Sequence, residues 1–360
     1  MTRLLYLYPE EWTARRAREV HTLSTCVALA QHGVEVTLVT AGGKSKLREH
    51  LHEIAGAMEV PGLHFVALSR TLGPLRSAVI FSSHFKKWFR TQPRFDWAYV
   101  IHLKAAEMLR RMGMRYLYEA HEIFAETPLK NPSRQNRLHE LEREVLFGAG
   151  ARVATSSALA AALRGRYALP NDFSVVPNAG LPPFERNVGT PGGPFAYCGS
   201  IADWKGLDLI IHASRDAHVP LKIIGGTTGE WRQLGEKIDT TQIIWQSRVP
   251  LNELPQVLTG ARAGLIPTQP QTPSGRYSCP MKLFDYARCG LPVLSTALPS
   301  LQSLHTGSWC VEVASSTREA WAGALKNFRC DALQADEARL WSGHHTWAHR
   351  AELLKRAVGL

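Results

Sequence analysis

The chain has 360 residues, 45% of them hydrophobic and 20% charged, which excludes a largely disordered polypeptide and suits two domains of roughly 100–200 residues each. No apolar run approaches the roughly 18 residues of a membrane span, and the opening MTRLLYLYPEEW meets Glu10 and Glu11 too early for a secretory leader, so a cytoplasmic setting is expected. Six cysteines without a CxxC pair argue against a zinc site or a disulfide framework, while the net charge of +11 lies mainly in the first half, +8 through Gly180 and +3 beyond it.

Residues 3–8, RLLYLY, form an apolar run fit for a buried parallel strand. A helix is expected over 13–32, with Thr13 as N-cap, Ala17, Val20, Ser24, Val27 and Ala28 on one face, and Gly33 to end it. Strands are expected at 34–40, 64–68, 97–101, 116–120 and 152–156, with a helix near 104–112. Between residues 60 and 95 there is no acidic side chain, while Arg70, Arg76, Lys86, Lys87, Arg90 and Arg94 all fall there. The aromatics and cations of 72–94 suit either a core helix with a basic outer face or a segment lying on an anionic membrane. Proline- and glycine-rich 181–194 reads as a linker. Beyond it strands are expected at 195–199, 221–226, 242–246, 263–268 and 292–296, and helices at 207–214, 252–260 and 280–289. Strands separated by helices imply crossover connections and mostly parallel sheets covered on both faces. The expected architecture is α/β: two doubly wound Rossmann-like domains, 1–180 and 195–340, facing each other across a cleft, with ligands beyond the carboxyl ends of the strands. Residues 341–360 hold a last amphipathic helix, with Trp347, Ala351, Leu354 and Val358 near helical spacing.

Two segments carry candidate chemistry. In CGSIADWKG (198–206) a strand, a glycine and a helix start place free N–H groups near Lys205, an anion site suited to a diphosphate. In SGRYSCPMKLFDYARCGLPVLST (274–296) Pro280 opens a helix that Ser278 or Cys279 can cap. Lys282 falls in its first turn, an unfavourable place for a cation unless an anion sits there, and Asp285 is suited to accept hydrogen bonds from a ribose diol. Trp245, Gln246, Ser247 and Arg248 follow a strand where a base can stack. No cluster of Asp, His or Cys shows metal-ligand spacing in the sequence.

YCGSIADWKGLDLII followed by PMKLFDYARCGLPVLSTALPSL resembles the C-terminal half of the group 1 (family 4) nucleotide-sugar glycosyltransferases of the GT-B fold. VVPNAG (175–180), HTLSTCVALAQHGVEVTLVT (21–40) and YEAHEIF (118–124) are similar to other segments of that family, in the same order. The resemblance implies retaining, metal-independent, cofactor-free transfer of a sugar from a nucleoside diphosphate donor, with UDP- or GDP-sugars favoured. The acceptor would be a glycan, a lipid-linked sugar or a small molecule, and the enzyme cytoplasmic or peripheral on the inner membrane through 72–94. It implies that Lys205 contacts the diphosphate, with Gly199 and Ser200 beside it, and that Asp285 holds the ribose. Arg276, Tyr277, Ser278, Cys279, Pro280 and Lys282 would line the donor, His121 and Glu122 would be catalytic, and the last helix would cross back to the first domain. The chain departs from the family pattern at Ser200, where an Arg is frequent, at Tyr277, where the first of two glutamates is frequent, and at YPEEW, where a glycine pair is usual. The competing readings are a catalytically degenerate scaffold and a basic nucleic-acid-binding protein. No zinc-finger, RRM, KH or helix-turn-helix signature is present, so no specific nucleic acid is expected.

Overall fold

In the computed structural model, residues 2–13, 16–72, 75–127, 131–169, 173–329 and 331–359 are described. Short apolar runs become buried strands, and the polar-faced segments between them become the covering helices. In chain order the first elements are β1 (Arg3–Tyr8), α1 (Ala17–Gln31), β2 (Glu35–Thr40), α2 (Lys44–Ala55), β3 (Leu63–Ala67), β4 (Thr71–Leu72), β5 (Leu75–Arg76) and α3 (Ala78–Phe89). They continue as β6 (Trp97–Val100), α4 (Leu103–Arg111), β7 (Tyr116–Ala120), α5 (Pro132–Gly148), β8 (Ala151–Ala154), α6 (Ser157–Tyr167) and β9 (Phe173–Val175). The seven-stranded sheet runs β3-β2-β1-β6-β7-β8-β9 and is parallel throughout.

The second half restarts with β10 (Phe195–Cys198), α7 (Leu207–Asp216), β11 (Leu221–Ile224), α8 (Thr228–Lys237), β12 (Ile243–Gln246), α9 (Leu254–Leu258), β13 (Ala263–Ile266) and α10 (Pro273–Tyr277). It closes with α11 (Met281–Arg288), β14 (Val293–Thr296), α12 (Pro299–Gln302), β15 (Cys310–Val313), α13 (Arg318–Asn327) and α14 (Ala332–Gly343), and α15 (Trp347–Val358) follows. Its sheet order, β12-β11-β10-β13-β14-β15, is also parallel. Side chains alternate across it as the pleat requires. Phe195 and Tyr197 join a cluster around Trp321 and Leu325, whereas Ala196 and Cys198 join another around Tyr286, Trp309 and Trp341. Both sheets reverse direction at their first strand, so each has a switch point, at β1/β6 and at β10/β13, where ligand crevices open at the carboxyl ends.

The chain divides into two compact units, Met1–Pro177 with Trp347–Leu360, and Asn178–Thr346. The last helix, α15, therefore belongs to the first unit, where it packs on α1 and β8. Residues 341–343 end α14 of the second unit instead.

Two expected caps are corrected. Helix α1 starts at Ala17, because Thr13 spends its backbone N–H and hydroxyl on the Glu19 carboxylate rather than capping the first turn; Ala14 and Arg15 of the expected helix lie outside the described residues. Ser278 does not cap α11: its hydroxyl donates back to the Ser274 carbonyl at 2.6 Å as α10 closes, and Pro280 stands at the α11 N-cap with no side-chain cap.

In 72–94, Gly73 and Pro74 lie outside the described residues. Within α3, Phe81 and Phe85 are buried, and Trp88 and Phe89 pack against Phe95. The aromatics thus face the core, and Lys86, Lys87 and Arg90 are exposed. Among the described residues no helix is long and apolar enough to cross a membrane.

Candidate functional site

At the carboxyl end of β10 the backbone of Gly199 (φ 152°) meets the end of β11 so closely that a Cβ on Gly225 (φ 133°) would lie 2.0 Å from the Gly199 carbonyl oxygen. Two side-chain-free strand ends thus abut beside the β10/β13 switch point. A short 3-10 turn, Asp203–Lys205, then leads into α7. Ser200 is exposed, and its carbonyl accepts from the Tyr197 hydroxyl at 3.0 Å.

Lys282, in the first turn of α11, reaches back to this place. Its Nζ stands 3.8 Å from the Tyr197 ring centroid and 3.4 Å from where a Cβ on Gly199 would be. That Nζ is shut off from solvent and has no hydrogen-bond partner among the described residues. Burial, and then the neighbouring Lys205 ammonium, hold Lys282 well below the usual lysine range. Burial also lowers Lys205, to about 8, and its Nζ lies 4.1 Å over the ring of the exposed Trp204. Asp285 lies one turn along α11; burial pushes its carboxyl up to about 6, against the pull of Arg288 and Lys282. A half-buried Lys205, a Lys282 whose Nζ is sealed, no salt-bridged carboxylate on either among the described residues, and an uncapped helix start make a hollow with a surplus of basic groups that an anion would satisfy.

The other expected donor residues lie on α10 and the α10–α11 joint. Tyr277 is buried and its hydroxyl is 3.3 Å from Arg276 Nη1, while Arg276 is exposed. Cys279 is buried, and its carbonyl accepts from Asn178 at 2.6 Å. Trp245 stacks on Trp231 at 5.4 Å and donates its indole N–H to the Gly225 carbonyl at 3.0 Å, so one face and the polar edge of that ring are already engaged.

In the first unit, His121 follows β7 directly, with 29% of its side chain exposed, and Glu122 next to it is half-buried. Behind His121 stands a group that sequence reading missed. Glu119 Oε1 lies 2.9 Å from His121 Nε2, 2.9 Å from His21 Nε2 and 2.6 Å from Arg350 Nη2, and Tyr99 donates to Oε2. Arg350, on α15, also donates to the Pro177 carbonyl and to Thr25. Burial alone would raise Glu119, but Arg350, His21 and His121 outweigh it and hold the carboxyl well below the usual range. Burial keeps His21 neutral, lowering it to about 4. His21, Glu119 and His121 form a group of donor atoms close enough for a cation, assembled from positions far apart in the chain. Arg350 already supplies the counter-charge to that carboxylate, so the donor set fits a buried ion pair better than a metal. The available signals were a glutamate inside the otherwise apolar YLYEA strand and an arginine on the apolar face of the last helix.

At the β1/β6 switch point the YPEEW loop is tied down by the side chain of Glu10 where the family has a glycine pair. Glu10 accepts from His102 at 3.1 Å and pairs with Arg16 and Arg18. Its hydrogen bond from His102 outweighs burial and holds its carboxyl near 2.

Comparison with known proteins adds the family. The model of Glycosyltransferase Family 4 matches residues 19–179, and that of the glycosyl transferase-like domains matches residues 207–356. Sequence comparison with the curated proteins finds no match. Among solved structures, sucrose-phosphate synthase from Thermosynechococcus elongatus superposes with a TM-score of 0.76 at 13% identity, over 99% of this chain and 98% of that one. HepE from Anabaena, solved with UDP-glucose, superposes at 0.70 and 14% identity over all of both chains. WaaG, a glycosyltransferase involved in lipopolysaccharide biosynthesis, superposes at 0.64 and 14% identity, over 99% of this chain and 100% of that one. Matched in both halves, with the two parallel Rossmann-like sheets that were expected, the chain belongs to the family 4 glycosyltransferases of the GT-B fold.

Proposed function

We propose that this glycosyltransferase takes its sugar from a nucleoside diphosphate sugar, with UDP as the carrier, and transfers it with retention and without a metal ion to a glycan, lipid-linked or small-molecule acceptor. The observation that carries the reading is the pair Lys205 and Lys282, a half-buried lysine and one whose Nζ is sealed, neither with a salt-bridged carboxylate among the described residues, at the end of β10. A departing diphosphate gathers negative charge as the glycosidic bond breaks. Fixed cations and the α11 N-terminus, aimed beforehand at that charge, stabilise it most in the transition state. In this reading Asp285 accepts from the ribose hydroxyls, with Arg276, Tyr277, Ser278, Cys279 and Pro280 shaping the wall. His121 and Glu122 are the residues proposed to meet the transferred sugar. UDP is favoured over GDP because HepE, of the same fold, has been solved with UDP and with UDP-glucose. The exposed basic face of α3 supports attraction to an anionic membrane surface by charge rather than by aromatic insertion, in keeping with a cytoplasmic enzyme.

A thermal-shift panel of UDP, GDP, ADP, dTDP and CMP in EDTA tests the donor, since a ligand of the folded state alone raises its stability by RT ln(1 + [L]/Kd). UDP is expected to give the largest shift, and Lys205→Ala and Asp285→Ala to reduce it. A flat panel would remove the donor assignment. The anomeric proton signal of the product decides retention.

A further inference from the structure

We infer that the free enzyme holds its Lys205–Lys282 pair short of one or more protons, and that a nucleoside diphosphate binds together with protons drawn from solvent, so that donor affinity falls as pH rises. The inference rests on the reading of this hollow as the diphosphate site and adds the protonation state in which the site waits.

The geometry sets the problem. Lys282 Nζ is enclosed by the Tyr197 ring and the Gly199 backbone, sealed from water and without a hydrogen-bond acceptor among the described residues. A buried ammonium that donates to nothing loses its hydration without compensation, and here a second lysine contributes like charge. The groups facing Lys282 come from three elements. Lys205, from the turn before α7, opposes its charge; Cys198 of β10 is held as a thiol by burial, well above its usual range at about 12; and Asp285 of α11 is raised by burial to about 6. Only Asp285 is an anion at neutral pH, and it forms no salt bridge with either lysine, so the opposed ammonium groups lack a matched counter-ion. A diphosphate supplies that counter-charge and acceptor oxygens together. The bound lysines must then return toward their ordinary lysine range, and the difference in protons held is taken from solvent. By linkage, uptake of one proton weakens binding about tenfold for each pH unit above the free-state value. The sign is fixed: Lys205 titrates near 8 in the free protein, so the loss begins there and steepens upward, while at lower pH only the more depressed Lys282 contributes.

Calorimetric titration of the full chain with UDP at about pH 8.5, in several non-phosphate buffers of different ionisation enthalpy, reads the proton number as a slope. We expect uptake of about half a proton or more, a Kd that rises several-fold from about pH 7.5 to 8.5, and a smaller slope for Lys282→Met, which keeps an unbranched side chain, one atom shorter, but carries no titratable group. UMP, with one phosphate fewer, should draw fewer protons than UDP. UDP binding whose heat is the same in every buffer and whose Kd is flat with pH would overturn the inference while leaving the donor site standing. No calorimetric binding and no thermal shift with UDP would overturn the donor reading, and the inference with it.

Discussion

Lys282 is held at a cost to the fold. Removing a buried amine that must either give up its proton or stay charged without a partner relieves a cost, so Lys282→Met should raise the melting temperature of the ligand-free protein while shrinking the shift produced by UDP; a variant that lost both together would contradict this placement. Glu119 and Arg350 behave in the opposite way, because each neutralises the other in the core. Arg350→Met leaves a fully buried carboxylate without its main counter-charge and should cost about 3–5 kcal/mol in urea unfolding. The double variant Glu119→Gln/Arg350→Met should recover much of that loss, since a neutral pair needs no compensation. His21 adds a pH dependence. Burial lowers it from the ordinary histidine value of 6.5 to about 4, so below pH 6.5 the unfolded chain binds a proton that the folded one refuses. Stability present above that point is lost as pH falls toward 4. Glu119, depressed in the same direction, adds to the acid side of the loss. Urea midpoints between these limits should fall with acid, and fall less in His21→Asn.

Strand ends and caps decide more of the architecture than the helix faces do. Gly225→Ala would drive a Cβ into the Gly199 carbonyl at a φ of 133°, whereas the Cβ of Gly229→Ala, at the second position of α8, would meet only Thr227 Oγ1 at 3.8 Å. The first should prise β10 from β11 and lower both stability and UDP affinity; the second should be neutral or slightly stabilising, as paired melting curves would show. Loss of the α8 capping box through Thr227→Ala should cost about 1 kcal/mol. Buried strands were legible because their apolar runs are short, continuous and bounded, as in FAYC at 195–198 and VLST at 293–296. Helix α5 carries too mixed a surface to stand out, with only Glu142, Val145 and Leu146 buried in its length. The sequence segment around Lys282 was legible through a cation at a helix start, but its meeting with Tyr197 and Gly199 depends on how α11 returns to β10. The Glu119–Arg350 pair spans 231 positions, a separation at which local pattern carries no information about contact.

The first unit contains both the opening 177 residues and the helix that comes after the second unit. A chain lacking 347–360 should therefore lose its protection against amide hydrogen exchange in β6, β7 and β8, where α15 lays Arg350 over Glu119, while β10 to β15 keep theirs. Equal loss in both units would show that they do not fold independently. Because residues 178–346 interrupt the first unit, its parts emerge from the ribosome at opposite ends of synthesis. The unit begun first must be finished last, its buried carboxylate waiting for an arginine made 231 residues later. At about 5–20 residues per second that interval is on the order of ten seconds or more, long enough for the second unit to complete its own sheet in the meantime. Assembly of this enzyme in the cell thus has a built-in order, with the second unit ready before the first can close its core.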